Sequence, residues 1–256
     1  MPRAFLTAEW RNLAMLNYAI DPTLLEPLVP AGTHLDQWND RTYVSLVGFL
    51  FVRTKVLGLA VPFHRTFEEI NLRFYVRREI NGEVRRAVTF IKELVPRPAI
   101  ALVARLMYNE PYAAVPMRHT YGAPAEDGAP TSVEYGWHSG EGWNAIHVAP
   151  YGIGRHAANG SEERFITEHY WGYTRQRDGS TVEYRVAHDP WRVWSVAKPW
   201  IQGDCSPTYG AELARILEAP PTSAFLADGS AVTVYAPTRL TQVASQPAAR
   251  QAAVTE

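Results

Sequence analysis

Apolar and polar residues alternate along much of this chain, which is the pattern of β-strands. The clearest example is the strand candidate Phe67–Arg77, in which every second residue from Ile70 to Val76 is apolar. Its apolar face consists of Ile70, Leu72, Phe74 and Val76. Its opposite face consists of Glu69, Asn71, Arg73 and Tyr75. A strand with this pattern usually has one face in a core and the other in water.

Similar patterns predict a protein made mainly of strands. The further strand candidates are Trp10–Tyr18, His34–Trp38, Tyr43–Val56, Arg86–Leu94, Ala113–His119, Val133–Trp137, Trp143–Val148, Arg164–Arg175, Thr181–His188, Trp191–Val196 and Ala231–Tyr235. Three turn signals lie between strand-like runs and predict hairpins: Asn39-Asp40, Asn81-Gly82 and Asp178-Gly179.

Helices are predicted at only three places. Asp21-Pro22 is a helix-start signal for Thr23–Val29, and Ser206-Pro207 opens another helix with an apolar stripe further on. Pro98–Tyr108 has apolar residues at helical spacing, and Leu102 and Leu106 are expected to widen its buried face. Hairpin-joined strands with isolated helices indicate a barrel or strongly curved sheet capped by helices. We expect one domain over residues 1–240 and a flexible tail over residues 241–256.

Composition narrows the class of protein. The 256 residues are 46% hydrophobic and 20% charged, which allows a large core, and the net charge of −1 offers no field for nucleic acid or an anionic membrane. Cys205 is the single cysteine, so an internal disulfide and thiolate metal clusters are excluded. No secretory signal pattern or membrane-length apolar run is visible, so we expect a cytoplasmic protein that binds a small molecule. The sequence leaves open whether the protein forms a homo-oligomer.

Two segments carry the candidate chemistry. The polar face around Asn71 is either solvent-exposed or, in a barrel, directed into a central cavity where Glu69 and Arg73 would pair with each other or with a ligand. His169 is the best general acid or base candidate by residue type, and the alternative is a hydrogen-bonded structural histidine. The histidines show no metal-ligand spacing, and phosphate-binding and nucleophile-elbow motifs are missing. The sequence therefore predicts no metal and no cofactor.

Several motifs together resemble one family. FEEINLRFYV resembles the F-x-E-x-N-x-R-x-Y-V signature of the YqjF-like family of uncharacterised bacterial proteins. LLEPLVPAGTHLDQWNDRTYVSLVGF, ARLMYNEPYAAVPM, FITEHYWGYT, AHDPWRVW and VTVYAPTRL are similar to further segments of that family. The resemblance covers about residues 6 to 240. That family is distantly similar to acetoacetate decarboxylase, whose fold is a cone-shaped antiparallel β-barrel with an internal active site.

The resemblance implies a site and limits its chemistry. It favours the polar row facing a cavity, with Arg73 holding an anion and with Asn71, Tyr75 and Tyr112 as hydrogen-bonding partners. If the protein is an enzyme, Glu69 and His169 are the proton-transfer candidates.

The decarboxylase's two adjacent lysines, one of which forms a Schiff base, match Tyr112 and Ala113 here, and neither of these can form an imine. Lys92 is the only nearby amine. The leading hypothesis is binding of a small carboxylate or carbonyl compound. The alternatives are a lysine-independent lyase or hydrolase and a non-catalytic structural or interaction module.

Overall fold

The computed structural model describes residues 3–60, 64–140 and 142–240, and the expected tail over residues 241–256 lies outside them. The strands are β1 (Ala4–Ile20), β2 (His34–Leu35), β3 (Thr42–Val56), β4 (Leu59–Ala60), β5 (Phe67–Ile80), β6 (Glu83–Val95), β7 (Tyr112–Ala114), β8 (Met117–Tyr121), β9 (Val133–Ser139), β10 (Gly142–His156), β11 (Trp171–Arg175), β12 (Thr181–His188), β13 (Arg192–Gln202), β14 (Ser223–Ala227), β15 (Ala231–Tyr235) and β16 (Thr238–Arg239). The α-helices are α1 (Pro98–Tyr108), α2 (Glu162–Thr167), α3 (Ser206–Tyr209) and α4 (Ala211–Leu217).

Seven of the strands form a closed ring, in the order β3, β5, β6, β11, β12, β15 and β1, and β1 pairs back onto β3. The rest of the sheet extends from β1 through β14, β13, β10, β9 and β8. The predicted β-rich fold with few short helices is therefore confirmed. It is not purely antiparallel: β6 pairs in parallel with β11 and with β7. No hairpin can join parallel neighbours, and β11 is reached from β6 only after a long stretch of chain.

Both faces of the central ring strands are buried, and this decides where the polar row lies. Ile70, Leu72 and Phe74 of β5 belong to a core shared with Tyr135 and Trp137 of β9 and with α3 and α4. Phe67 and Tyr75, at the other parity, belong to a second core inside the ring. The apolar row of β5 packs outward, against β9, α3 and α4. The alternate residues of β5 therefore face the inside of the ring and are not solvated.

The predicted turns are present. Asn39 and Asp40 both have positive φ, and Trp38 and Arg41 bridge around them. Asn81 and Gly82 have φ of 51° and 80° and join β5 to β6, as an Asn-Gly hairpin turn requires. The loop containing Asp178-Gly179 joins the antiparallel strands β11 and β12.

Several segments differ from the predictions. Residues Glu162–Thr167 form helix α2 where the sequence predicted the start of a strand, because the Ser161 side chain caps the helix by accepting from Arg164 N. The predicted helix over Thr23–Val29 is two 3-10 turns, Pro22–Leu24 and Glu26–Leu28. Pro27 has no amide hydrogen to continue an α-helix there.

Three further parts of the structure differ from the predictions. The predicted strand Ala113–His119 is split into β7 and β8, with Pro116 between them. β14 was not predicted. Leu102 and Leu106 of α1 are 56% and 76% exposed, because the side of the helix that packs against the rest of the protein carries Ala101 and Tyr108.

Candidate functional site

A cavity of about 250 Å³ lies inside the ring. Every ring strand contributes to its lining, with Leu6 from β1, Phe51 from β3, Glu69 from β5, Val88 from β6, Trp171 from β11, Val186 from β12 and Val234 from β15. Helix α1 covers one side. Most of the wall is apolar, and the polar side chains gather in one part of it, which is the usual composition of a small-molecule site.

Three members of the predicted polar row line the cavity: Glu69, Asn71 and Arg73. All three are buried. Asn71 Nδ2 donates to Glu69 Oε1 at 3.1 Å, and the Tyr112 hydroxyl donates to Glu69 Oε2 at 3.0 Å. The structure thus brings together Glu69 and two of the predicted ligand-binding residues, Asn71 and Tyr112, as one hydrogen-bonded group.

Arg73 has an unusual environment for a buried cation. Only 8% of the residue is exposed, and its Nη2 donates to the carbonyl oxygen of Ile166 at 3.2 Å. Its Nε has no acceptor among the described residues, and it forms no ion pair with any of them. The pairing of Glu69 with Arg73 that the sequence suggested is therefore not formed. A buried guanidinium keeps its charge and is costly without an anionic partner.

Tyr75, the last member of the row, lies behind the cavity wall. Its hydroxyl is 2.6 Å from Ser45 Oγ, and its ring centroid is 4.7 Å from that of His169. The structure therefore places Tyr75 where it supports His169 and not among the residues that line the cavity.

His169 lines the cavity from the connection between α2 and β11, not from a strand. It is buried, and neither ring nitrogen has a hydrogen-bond partner among the described residues. Burial lowers the pKa of His169 well below its usual range, and Arg86 and Arg73 lower it further. The imidazole is neutral near pH 7, so it offers one donor and one acceptor but no charge.

A β-bulge in β6 decides which side chains enter the cavity. Val88 and Phe90 line it, so plain alternation would place Lys92 there next. Leu72 pairs with Lys92 but Arg73 pairs with Phe90, so Ile91 is an extra residue that changes the register. Glu93 therefore points into the cavity and Lys92 does not. None of the three lysines of the sequence lines the cavity.

Glu93 and Glu110 are site residues that the sequence analysis missed. Both are buried and line the cavity, and the Tyr184 hydroxyl donates to Glu110 Oε1. Glu93 lies opposite Asn71 on one side and Tyr112 on the other. Glu110 could have been noticed in the sequence as an acidic residue in the Asn109-Glu110-Pro111 turn next to Tyr112. Glu93 could not, because plain alternation along β6 assigns it to the face opposite the cavity and only the bulge reverses this.

Burial raises the pKa values of all three carboxyl groups. The pKa of Glu69 is raised to about 7 by burial, which outweighs the opposing effects of Asn71, Tyr112 and Arg73. Burial raises the pKa of Glu110 to about 7 as well, and the negative charge of Glu69 adds to the rise. The pKa of Glu93 is raised well above its usual range by burial, then by repulsion from Glu110 and Glu69. Near pH 7 the cluster therefore holds both carboxylates and carboxylic acids.

Aromatic side chains form the apolar part of the wall. Phe51 and Phe67 stack with ring centroids 4.7 Å apart, and Trp10 meets Trp191 edge to face at 6.2 Å. His188 stacks on Trp191 at 4.4 Å. Such a wall accepts an apolar or aromatic group, which leaves the polar part to fix the orientation of a ligand.

Two classes of function find no support in residues 3–60, 64–140 and 142–240. No group of three or more His, Cys, Asp or Glu side chains is arranged to hold a metal ion. In the same residues, no helix is both long and apolar enough to cross a membrane.

Sequence comparisons match the chain to uncharacterised proteins. The model of the DUF2071 family, described as an uncharacterized conserved protein, matches residues 7–231. The uncharacterized protein YqjF of Bacillus subtilis (strain 168) is 25% identical over 185 residues, which cover 71% of this chain and 72% of YqjF.

Structural comparisons match the fold to acetoacetate decarboxylase-like enzymes. Acetoacetate decarboxylase from Legionella pneumophila superposes with a TM-score of 0.65 at 11% identity, covering 93% of this chain and 87% of that one. An acetoacetate decarboxylase-like enzyme from Sphingomonas wittichii RW1 gives 0.61 at 14% identity, covering 94% of each chain. The enduracididine biosynthesis enzyme MppR, solved in complex with pyruvate, gives 0.66 at 11% identity, covering 94% and 91%. Identities this low establish a shared fold and nothing more.

Proposed function

This chain belongs to the DUF2071 family of uncharacterised conserved proteins, and we propose that it binds a small organic acid with an apolar body inside the ring. One observation carries the proposal: Arg73 is a buried guanidinium at the cavity wall without an anionic partner among the described residues. A carboxylate is the ligand group that fits a guanidinium best, because two parallel charge-assisted hydrogen bonds form between them.

The remaining wall defines the rest of the ligand. Asn71 and Tyr112 provide hydrogen-bonding groups beside the carboxylate position, which suits a carbonyl or hydroxyl oxygen. The aromatic residues around Phe51 and Trp191 suit an aryl or alkyl group. A cavity of about 250 Å³ limits the ligand to a compact molecule. The pyruvate complex of MppR supports keto acids as the first class of ligand to test.

The absence of a lysine from the cavity lining distinguishes this proposal from Schiff-base decarboxylation. Lys55, Lys92 and Lys198 are the lysines of the chain, and none lines the cavity. Binding of the acid through Arg73 needs no covalent bond to the protein.

Binding of matched probes tests the proposal. Saturation-transfer NMR and thermal shift should show 4-phenylbutanoate bound at least about tenfold more tightly than its neutral amide, because only the carboxylate pairs with Arg73. Arg73→Met should weaken the binding of 4-phenylbutanoate about 10- to 100-fold. Arg77→Met is the matched control, because Arg77 is an exposed arginine on the same strand.

The comparison of acid and amide uses the wild-type chain and does not depend on the stability of a variant. Equal affinity for the acid and the amide would overturn the proposal. Equal loss in the Arg73 and Arg77 variants would overturn the role of Arg73.

A further inference from the structure

Three buried glutamates surround one tyrosine at the polar part of the cavity. Tyr112 donates to Glu69, and its backbone lies opposite Glu93 in the β6–β7 pairing. Glu110, two residues before Tyr112, accepts from Tyr184. All of these side chains line the cavity. Binding a carboxylate does not require them, and three buried acids would repel an anionic ligand if all were ionised. Their presence beside Arg73 therefore needs another explanation.

Their protonation states differ, which is the condition for acid–base catalysis. Repulsion keeps the three groups from ionising together. Glu93 retains its proton most readily, because burial, and then repulsion from Glu110 and Glu69, raises its pKa well above the usual range. Its Oε2 has no hydrogen-bond partner among the described residues. Glu69 is stabilised as a carboxylate by hydrogen bonds from Asn71 and Tyr112. The cluster can thus present a carboxylate at Glu69 and a carboxylic acid at Glu93 to the same ligand.

The geometry of β5 orders these groups relative to Arg73. Glu69, Asn71 and Arg73 lie on one face of the strand, and same-face neighbours follow each other at about 7 Å. A ligand whose carboxylate pairs with Arg73 extends past Asn71 towards Glu69. The charge of Arg73 acts on the carboxyl group of Glu69 across this part of the cavity, so we place the carbon atoms next to the ligand's carbonyl between these two side chains.

We infer that the site enolises a 2-oxo acid, with Glu69 as the base and Glu93 as the acid. The inference rests on the proposed binding of an organic acid at Arg73. Glu69 takes a proton from C3, the C3–H electron pair forms the C2=C3 double bond, and the carbonyl π electrons move to the C2 oxygen. That oxygen receives the proton of Glu93. The reverse reaction returns both protons, so no oxidant, reductant or amine is needed.

Exchange of ligand protons with D₂O tests the inference. We expect the wild-type protein to speed the loss of the C3 proton signal of 2-oxo-4-phenylbutanoate at least about 100-fold over buffer, the usual range for a positioned acid or base. Glu69→Gln should reduce this exchange about 100-fold while changing affinity only a few-fold. Glu79→Gln is the control, because Glu79 is an exposed glutamate on the same strand. Affinity is measured in the same samples by saturation transfer.

The pH profile and a second variant add independent readouts. The wild-type exchange rate should rise with pH through about 7 as Glu69 ionises. Glu93→Gln should lower the rate while keeping this rise, because the base is unchanged. These two readouts stand even if Glu69→Gln does not fold.

The outcomes separate the inference from the proposed function. Binding of the probe without exchange above buffer would overturn the inference and leave the binding function standing. Failure of the probe to bind would overturn both. Unchanged exchange in folded Glu69→Gln would overturn the assignment of Glu69 as the base.

Discussion

At the scale of single residues, the cavity contains one cationic and three acidic side chains, and these differ in their hydrogen-bond partners. Arg73 has a backbone carbonyl as its acceptor, whereas Glu69 and Glu110 accept from side-chain donors. Burial is the first cause of the raised pKa of each glutamate. The folded protein therefore binds protons that the unfolded chain releases, and this must appear as a dependence of stability on pH.

Glu110→Gln tests this linkage. The pKa of Glu110 is raised from 4.5 to about 7 in the folded protein, so its stabilising contribution is present below pH 4.5 and is lost as pH rises through 7. We expect the free energy of unfolding of the wild type to fall between pH 5 and pH 8, and that of the variant to fall by about 2–3 kcal/mol less. Urea unfolding at four pH values measures the difference, with Glu79→Gln as the control. Parallel pH profiles for the wild type and Glu110→Gln would contradict the raised pKa.

At the scale of secondary-structure elements, the bulge at Ile91 determines the chemistry of the cavity wall. Without the extra residue, the face of β6 that carries Val88 and Phe90 would continue with Lys92. With it, Glu93 takes that place and Lys92 turns to the opposite face. One backbone irregularity thus exchanges an amine for an acid in the cavity.

An imine-trapping experiment tests the consequence for this strand. Incubation with acetoacetate and borohydride should leave no covalent adduct on Lys92, because its amine faces away from the cavity. The protein should also not decarboxylate acetoacetate through an imine. Mass spectrometry of the intact protein and its peptides measures this, with a decarboxylase that uses a Schiff base as the positive control. A stable mass increase mapped to Lys92 would contradict the assigned face.

At the scale of the whole molecule, the first strand joins distant parts of the chain. β1 pairs with β3 on one side and with both β14 and β15 on the other. The cavity exists only when this ring is closed, since every ring strand contributes to its lining. Residues of the polar part likewise come from β5, β6, the segment after α1 and the segment after α2.

This connectivity predicts one cooperative unfolding unit. Far-ultraviolet circular dichroism and tryptophan fluorescence should report the same urea midpoint, because neither half of the chain can close the ring alone. Limited proteolysis should not release two stable halves. Two separate transitions, or two folded fragments, would show that the chain has more than one domain.

The sequence by itself determined the β-rich class, the main hairpins and the polar row of β5, because these depend on local alternation and on turn residues such as Asn81-Gly82. It also brought forward Glu69, Asn71, Arg73, Tyr75 and His169 by residue type and alternation, and Tyr112 through the family resemblance. The strand predicted around His169 is partly helix α2.

Only the tertiary structure decided that the polar row of β5 faces the inside of the ring and that Tyr75 lies behind the cavity wall. It also decided that Glu93 and Glu110 line the cavity. These depend on packing across the ring and on a bulge, and such long-range contacts leave no periodic pattern in the sequence.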